Sequence, residues 1–196
     1  MLATSKKKDF KKILEPRMKL QELIHLIYEN DIPKLKDLKK RGLDFSVVDP
    51  YTKGNLLISY SVYGYKKHYT QTEMVNFLLE CGIDVNYQPN GRDKGKSALH
   101  KSVGKGYFEI IKALIDNGAN LNLKDRNGNT PLWNAVMKFR GEEENKEIIK
   151  YLVSKGSSLI IKNNHGVSPT DIINRIGEGI DAGINQKEWD LRFLLT

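Results

Sequence analysis

Apolar residues recur along this chain at helical spacing. In FEIIKALIDNGANLN, Ile110, Ile111, Leu114 and Ile115 stand at i, i+1, i+4 and i+5, and in NKEIIKYLVSKG the residues Ile148, Ile149, Leu152 and Val153 repeat that spacing. Each pattern paints one apolar stripe along a helix and leaves the other side polar. Both stretches run into a glycine, Gly118 and Gly156, as expected where a left-handed residue closes a helix.

The stripes belong to a longer period. GNTPLWNAV at Gly128 aligns with GKSALHKSV at Gly95, 33 residues earlier, and GVSPTDII at Gly166 and GNLLISYSV at Gly54 keep the same order. A second marker is phase-locked to the first: Gly42, Gly82, Gly118 and Gly156, each followed two places on by a small or polar residue, in GLDFS, GIDVN, GANLN and GSSLI. A serine or threonine ahead of Pro131 or Pro169 caps a helix start, and proline suits the first helical position because no hydrogen bond is lost there. A two-helix unit cannot bury its own stripe, so the stripe faces the next unit and the units stack.

The repeated order, with SALH, TPLW and SPTD at one position, resembles the ankyrin repeat, a β-turn followed by two antiparallel helices. The resemblance implies an all-α solenoid of about five helix-turn-helix units joined by β-turns or short hairpins. The units span 18–50, 51–91, 92–124, 125–162 and 163–196, after a basic tail or extra helix over 1–17. The first unit holds LQELIHLIYEN and IPKLKDLKKRG; the last holds SPTDIINRIG, the loop GEGIDAG and a final helix near QKEWDLRFLLT. Arg92 to Lys124 fits the unit without a gap, and DRNGNTPLW is the closest match to the family's turn. Three units depart from it: Trp133 and Asp171 stand at the histidine position that His100 fills, which puts the usual histidine hydrogen bonds at those turns in question, and LLIS replaces the motif after Gly54. The units starting at Tyr51 and Asp125 each carry five extra residues between their helices, in YGYKKHYTQTE and MKFRGEEENKE.

A net charge of +8 favours acidic partners. The densest basic run, Lys6, Lys7, Lys8, Lys11 and Lys12, reads as a solvated tail. One cysteine, Cys81, allows no internal disulfide, and no apolar stretch has the length of a membrane span or secretory signal, so a cytoplasmic location is expected. The nearest approach to a nucleotide motif, NGRDKGKS, lacks the first glycine at the spacing a phosphate loop needs, and the repeat register places it in a turn. His25, His68, His100, His165 and Cys81 have no metal-ligand spacing. His100 is expected to hydrogen-bond within and between turns, Cys81 to be an inert thiol, and Glu142, Glu143 and Glu144 to form a solvated loop. No nucleophile pairs with a base, so neither enzyme activity nor a cofactor is expected.

What remains is a surface. The resemblance implies that a partner is held by the turn tips and by the exposed side of the first helices. Register assigns Thr52, Lys53, Asn55, Asp93, Lys94, Lys96, Arg126, Asn127, Asn129, Asn164 and His165 to the tips, and Tyr63, Lys105, Met137 and Lys138 to the helices. Gln88, Lys124 and Lys162 close each approach to a turn, and Trp133 lies behind it. Tyr63, Met137 and Arg126 are the candidate anchors, since tyrosine, methionine and arginine are enriched at interface centres. Lys53, Lys94, Lys96, Lys124, Arg126 and Lys162 form a basic strip suited to a protein with an acidic surface. Nucleic acid is disfavoured because neither a reading helix nor a stacking motif appears. Single-domain bacterial ankyrin proteins of immunity type, which block a toxin, look similar; a viral or symbiont factor that engages a host protein is the rival, and a nucleotide-dependent enzyme the remote one.

Overall fold

The computed structural model describes residues 20–63, 71–92, 94–177, 191 and 194. The expected basic tail, the loop over 64–70, Asp93, and the final loop and helix apart from Leu191 and Leu194 lie outside the described residues. Helices α1 (Leu20–Tyr28) and α2 (Ile32–Lys40) make the first pair, α3 (Leu56–Tyr63) and α4 (Gln71–Glu80) the second, and α5 (Ala98–Lys105) and α6 (Phe108–Asp116) the third. α7 (Pro131–Lys138) and α8 (Glu143–Ser154) follow, and α9 (Pro169–Gly177) opens the fifth unit. First helices pack on first helices, α3 on α5, α5 on α7 and α7 on α9, while α4 packs on α6. This is an all-α repeat solenoid.

The stripes lie where stacking requires them. Ile110, Ile111, Leu114, Ile149 and Leu152 are fully buried, and one continuous apolar core runs from Leu23 in α1 to Ile173 in α9. Helix ends follow the glycines. The Gly118 and Ala119 amides donate to the Ile115 and Leu114 carbonyls, and Gly156 and Ser157 do the same to Val153 and Leu152, a closure that uses the left-handed φ of +82° and +98° at the two glycines. The polar residue two places on has its own task. Asp44, Asp84 and Asn120 each accept, through a side-chain oxygen, the amide two residues further along.

The second unit corrects the glycine register. Lys53, at φ +58°, occupies the left-handed turn position that Gly95, Gly128 and Gly166 occupy at +72°, +76° and +74°. Gly54 is therefore one step later, its carbonyl accepting the Asp49 amide as Asn129 accepts that of Asp125. The helix cap is Asn55, whose Oδ1 accepts the Ile58 amide at 2.9 Å, so NLLI rather than LLIS stands for the signature. With that register the second unit has six extra residues before Gly82, not five. The third unit does not start cleanly at Arg92 either: its hairpin opens at Pro89, whose carbonyl accepts the Gly95 amide, and is longer than the turn after Asp125. Asp49, Asp125 and Asn163 open the other turns with a side-chain oxygen that accepts turn amides, and Pro89 has no such oxygen.

Glu142, Glu143 and Glu144 are not a loop. Glu142 is the N-cap position of α8 and the other two lie in its first turn, where negative charge meets the positive end of the helix dipole. Of the five inserted residues of the fourth unit, three thus lengthen a helix and two the loop before it.

The first unit is attached differently from the others. The Tyr60 hydroxyl donates to Asn30 Oδ1, Lys39 Nζ donates to the Glu80 carbonyl, and Phe45 meets Phe77 edge to face at 5.5 Å. These are side-chain contacts; among the described residues this seam has none of the turn-to-turn backbone bonds found from the third unit onward.

Leu114→Ala removes a fully buried side chain at the third interface and is expected to lower unfolding free energy by about 2–5 kcal/mol in urea titration. Gly128→Ala is expected to destabilise as well, because a Cβ there would sit 2.6 Å from the Asn164 amide nitrogen on a backbone already at φ +76°.

Candidate binding surface at the turn tips

Three sets of lateral bonds tie the later turns into one ridge. At the tips, the Arg126 amide donates to the Lys94 carbonyl at 2.8 Å, and one unit on the Asn164 amide donates to the Asn127 carbonyl at 3.0 Å. At the turn approach, Gln88 Nε2 donates to the Lys124 carbonyl and Lys124 Nζ to the Lys162 carbonyl. On the loop after each second helix, Asn86 Oδ1 accepts the Asn120 amide and Asn122 Oδ1 accepts the Ser158 amide. Each bond satisfies a backbone group that stacking would otherwise leave exposed at a seam.

Behind the turns, one position does three different jobs. His100 Nε2 reaches the Asn129 carbonyl of the next turn at 3.0 Å while its Nδ1 faces the Ser97 amide and hydroxyl. A carbonyl only accepts, so Nε2 carries the proton, and the Ser97 amide only donates, so Nδ1 carries none and the ring is neutral. Burial pushes the His100 pKa down, against partial support from the Asn129 carbonyl and Asp125. Trp133 keeps the forward half of this arrangement: its indole Nε1 donates to the Val167 carbonyl at 3.1 Å. Asp171 keeps the backward half, accepting the Ser168 amide and hydroxyl at 2.8 and 2.7 Å while the Ser168 hydroxyl accepts the Asp171 amide. The histidine bonds in question at Trp133 and Asp171 are therefore each half replaced.

The structure sorts the candidate residues. Asn55 and Asn129 are buried, at 7% exposure each, and are turned inward: Asn55 caps α3 and bonds the Asp84 carbonyl, and Asn129 Oδ1 accepts from Asn163. Neither is available at the tips: the corrected register makes Asn55 a helix cap, and Asn129 closes the base of its hairpin, its carbonyl accepting the Asp125 amide. Thr52 is half-buried and hydrogen-bonded to Asp49, whose carboxyl is held below its ordinary value chiefly by the Thr52 amide. Asn164 Nδ2 is tied to the Arg126 carbonyl and Lys138 Nζ to the Gly104 carbonyl. The Arg126 guanidinium clasps the Asn90 carbonyl. Lys53, Lys94, Lys105, Asn127, Lys162 and His165 are exposed, Lys96 is half-buried, and Met137 is 43% exposed on α7. The side chain of Tyr63 lies outside what the structure describes.

The glycine-rich stretch NGRDKGKS is occupied in building this ridge. The amides of Lys94 and Gly95 donate to the carbonyls of Gly91 and Pro89 instead of pointing outward as a phosphate cradle would need. Gly91 itself is there for close approach, since a Cβ would meet the Thr52 carbonyl of the preceding tip. Cys81 is half-buried, and burial pushes its thiol pKa up, away from the thiolate a nucleophile requires. Among the described residues, no helix is long and apolar enough to cross a membrane.

The sequence model for ankyrin repeats in three copies matches residues 58–163, more than half the chain. This chain belongs to the ankyrin-repeat family. Among similar proteins, a putative ankyrin repeat protein of Borreliella burgdorferi is 28% identical over 131 residues, covering 64% of this chain and 28% of the relative. The B-cell lymphoma 3 protein homolog of Mus musculus is 33% identical across 48% of this chain and 19% of its own length. A putative ankyrin repeat protein of Acanthamoeba polyphaga mimivirus is 37% identical across 34% of this chain and 9% of its own. The matches thus cover well under a third of these relatives' lengths. Ankyrin repeats indicate a protein–protein interaction module.

Two exposed tip residues escaped the sequence reading. Tyr51, 76% exposed, donates its amide to Asp49 Oδ1 as Asn127 does to Asp125 Oδ1 in the fourth unit, and Arg92 is exposed in the long third hairpin. The glycine register had moved the second turn by one residue, which put Tyr51 at a unit boundary instead of at a tip.

His100 supplies a test of the ankyrin turn. The unfolded chain takes a proton near pH 6.5 and the folded chain only lower. Stability is therefore complete above that pH and falls as pH drops below it, before the carboxylates titrate. Urea midpoints measured between neutral and mildly acidic pH should show this slope in the native chain, and it should flatten in His100→Gln. Trp133→Phe should lower stability by about 1 kcal/mol through loss of the indole hydrogen bond to the Val167 carbonyl, which then keeps only the Asn163 amide.

Proposed function

We propose that this chain does no chemistry of its own and binds another protein, one with an acidic surface, across the turn tips and the exposed side of its first helices. The observation that carries this reading is a rigid ridge whose cations are not used up internally. Lys53, Arg92, Lys94 and Lys162 are exposed and have no ion-pair partner among the described residues. Fixed cations at the tips steer an acidic partner and set its register, and preorganisation by the lateral bonds reduces the ordering cost of binding.

The finer form of the reading is an immunity-type inhibitor that covers a toxin's active site. What supports it is the rigidity of the ridge, which lets a bound protein be held with its catalytic face occluded. A toxin encoded beside this chain's gene should lose its growth arrest on co-expression. Arrest that persists with every neighbouring gene product counts against the inhibitor and leaves the binding reading in place.

Against the partner so identified, Lys94→Ala and Met137→Ala should each weaken binding by about 1 kcal/mol or more in calorimetry, without a change in urea midpoint. Arg126→Ala should do the same with some loss of stability, because it also releases the Asn90 carbonyl. Unchanged affinity in all three would place the interface elsewhere.

A further inference from the structure

The ridge has a direction. At its second-unit end stands Tyr51, 76% exposed, in the same hairpin as Val48, 40% exposed. Val48 occupies the position from which Gln88 and Lys124 reach their neighbours, and an apolar side chain cannot make that reach. Immediately along the ridge come the cations Lys53, Arg92 and Lys94. Past Arg126, whose guanidinium is committed to Asn90, the tips carry Asn127 and Asn164, and the next exposed cation is Lys162 at the approach to the fifth turn. Aromatic and then cationic character therefore succeed one another in order, on a second turn set against the third by the Tyr87 hydroxyl donating to the Lys53 carbonyl and by the close approach of Gly91 to Thr52.

A large exposed aromatic at a tip is a binding feature more than a folding one. Its ring adds nothing to the core at that exposure, whereas tyrosine is enriched among interface anchors because it supplies contact area at low entropic cost. Tyr51 is also held in place: its amide donates to Asp49 Oδ1 at 3.0 Å, and the next residue is packed against by Gly91. A rigid backbone beneath an exposed ring and a row of uncommitted cations calls for a ligand carrying the complementary order.

We infer that the tip ridge seats a single extended acidic segment of the partner protein, with an apolar residue over Tyr51 and carboxylates running on over Lys53 and Lys94. The segment is polar in the sense of direction: reversing the order of its apolar and acidic parts separates one from its site. This rests on the protein-binding reading above and narrows it to one kind of segment and one orientation.

The test uses the full chain and four fluorescein-labelled probes: an oligoglutamate headed by two leucines, its reversed-order isomer, an oligoglutamate of the same charge, and an oligouridylate of the same charge. By anisotropy, one of the two leucine-bearing isomers should bind about tenfold tighter than the plain oligoglutamate and tighter than the other isomer. Tyr51→Ala should abolish that tenfold advantage and leave the plain oligoglutamate unaffected, while Lys53→Glu with Lys94→Glu should weaken every acidic peptide; both positions are exposed, and an unchanged urea midpoint shows that the fold is kept. Equal binding of all three peptides, an unaltered preference in Tyr51→Ala, or tightest binding by the oligouridylate would overturn the inference. If the peptides fail while Lys94→Ala and Met137→Ala still weaken the identified partner, the binding surface stands and its proposed direction falls.

Discussion

Each helix pair in this chain has an apolar stripe that it cannot cover alone. Ile110, Ile111 and Leu114 can leave water only against α4 and the helix pairs on either side, and Ile149 and Leu152 only by the same device one unit on. Everything else is subordinate to that sideways burial. It brings hairpin against hairpin, and the backbone groups at each seam then need partners. The recurring bonds from tip to tip, approach to approach and loop to loop supply them.

The consequence for the binding surface is a division of labour among polar residues. Residues that look equivalent in the sequence are divided by where their donors are used. Lys124 and Lys138 donate to backbone carbonyls, Arg126 clasps Asn90, and Asn55 and Asn129 are buried as caps and struts. Lys53 and Lys94 are left to face outward. A row of positive charge survives on the surface because the acceptors that hold the turns together are neutral carbonyls and side-chain amides, so even Lys124 and Arg126 keep their charge when they donate.

Much of the fold was legible because it depends on features with one physical meaning. Gly118 and Gly156 end helices, Thr130 and Ser168 start them, and the paired isoleucines show which faces are buried. The register of the second unit was not legible from glycine alone. Lys53 takes the left-handed conformation at its turn, and the neighbouring Gly54 draws the alignment one step too far. The better marker was the helix cap, Asn55 beside Ser97, Thr130 and Ser168, which stands two places after the left-handed residue in each of these units, since its oxygen takes the helix-start amide. Tyr51 was hidden by the same one-residue slip. The roles of Trp133 and Asp171 were half legible: that they replace a histidine is plain in the sequence, but which of its two bonds each retains depends on how far the side chain reaches.

Among the described residues the seam between the first two helix pairs has neither the tip-to-tip backbone bonds of the last two seams nor the loop-to-loop bond of the Asn86–Asn120 kind, and it depends on Tyr60, Lys39 and the Phe45–Phe77 contact. Under tension along its length the array is therefore a spring with unequal coils. Strain collects at that first joint, so α1 and α2 peel away as a pair while the backbone-bonded tips from Lys94 to Asn164 keep their spacing, and a partner gripped there is not released.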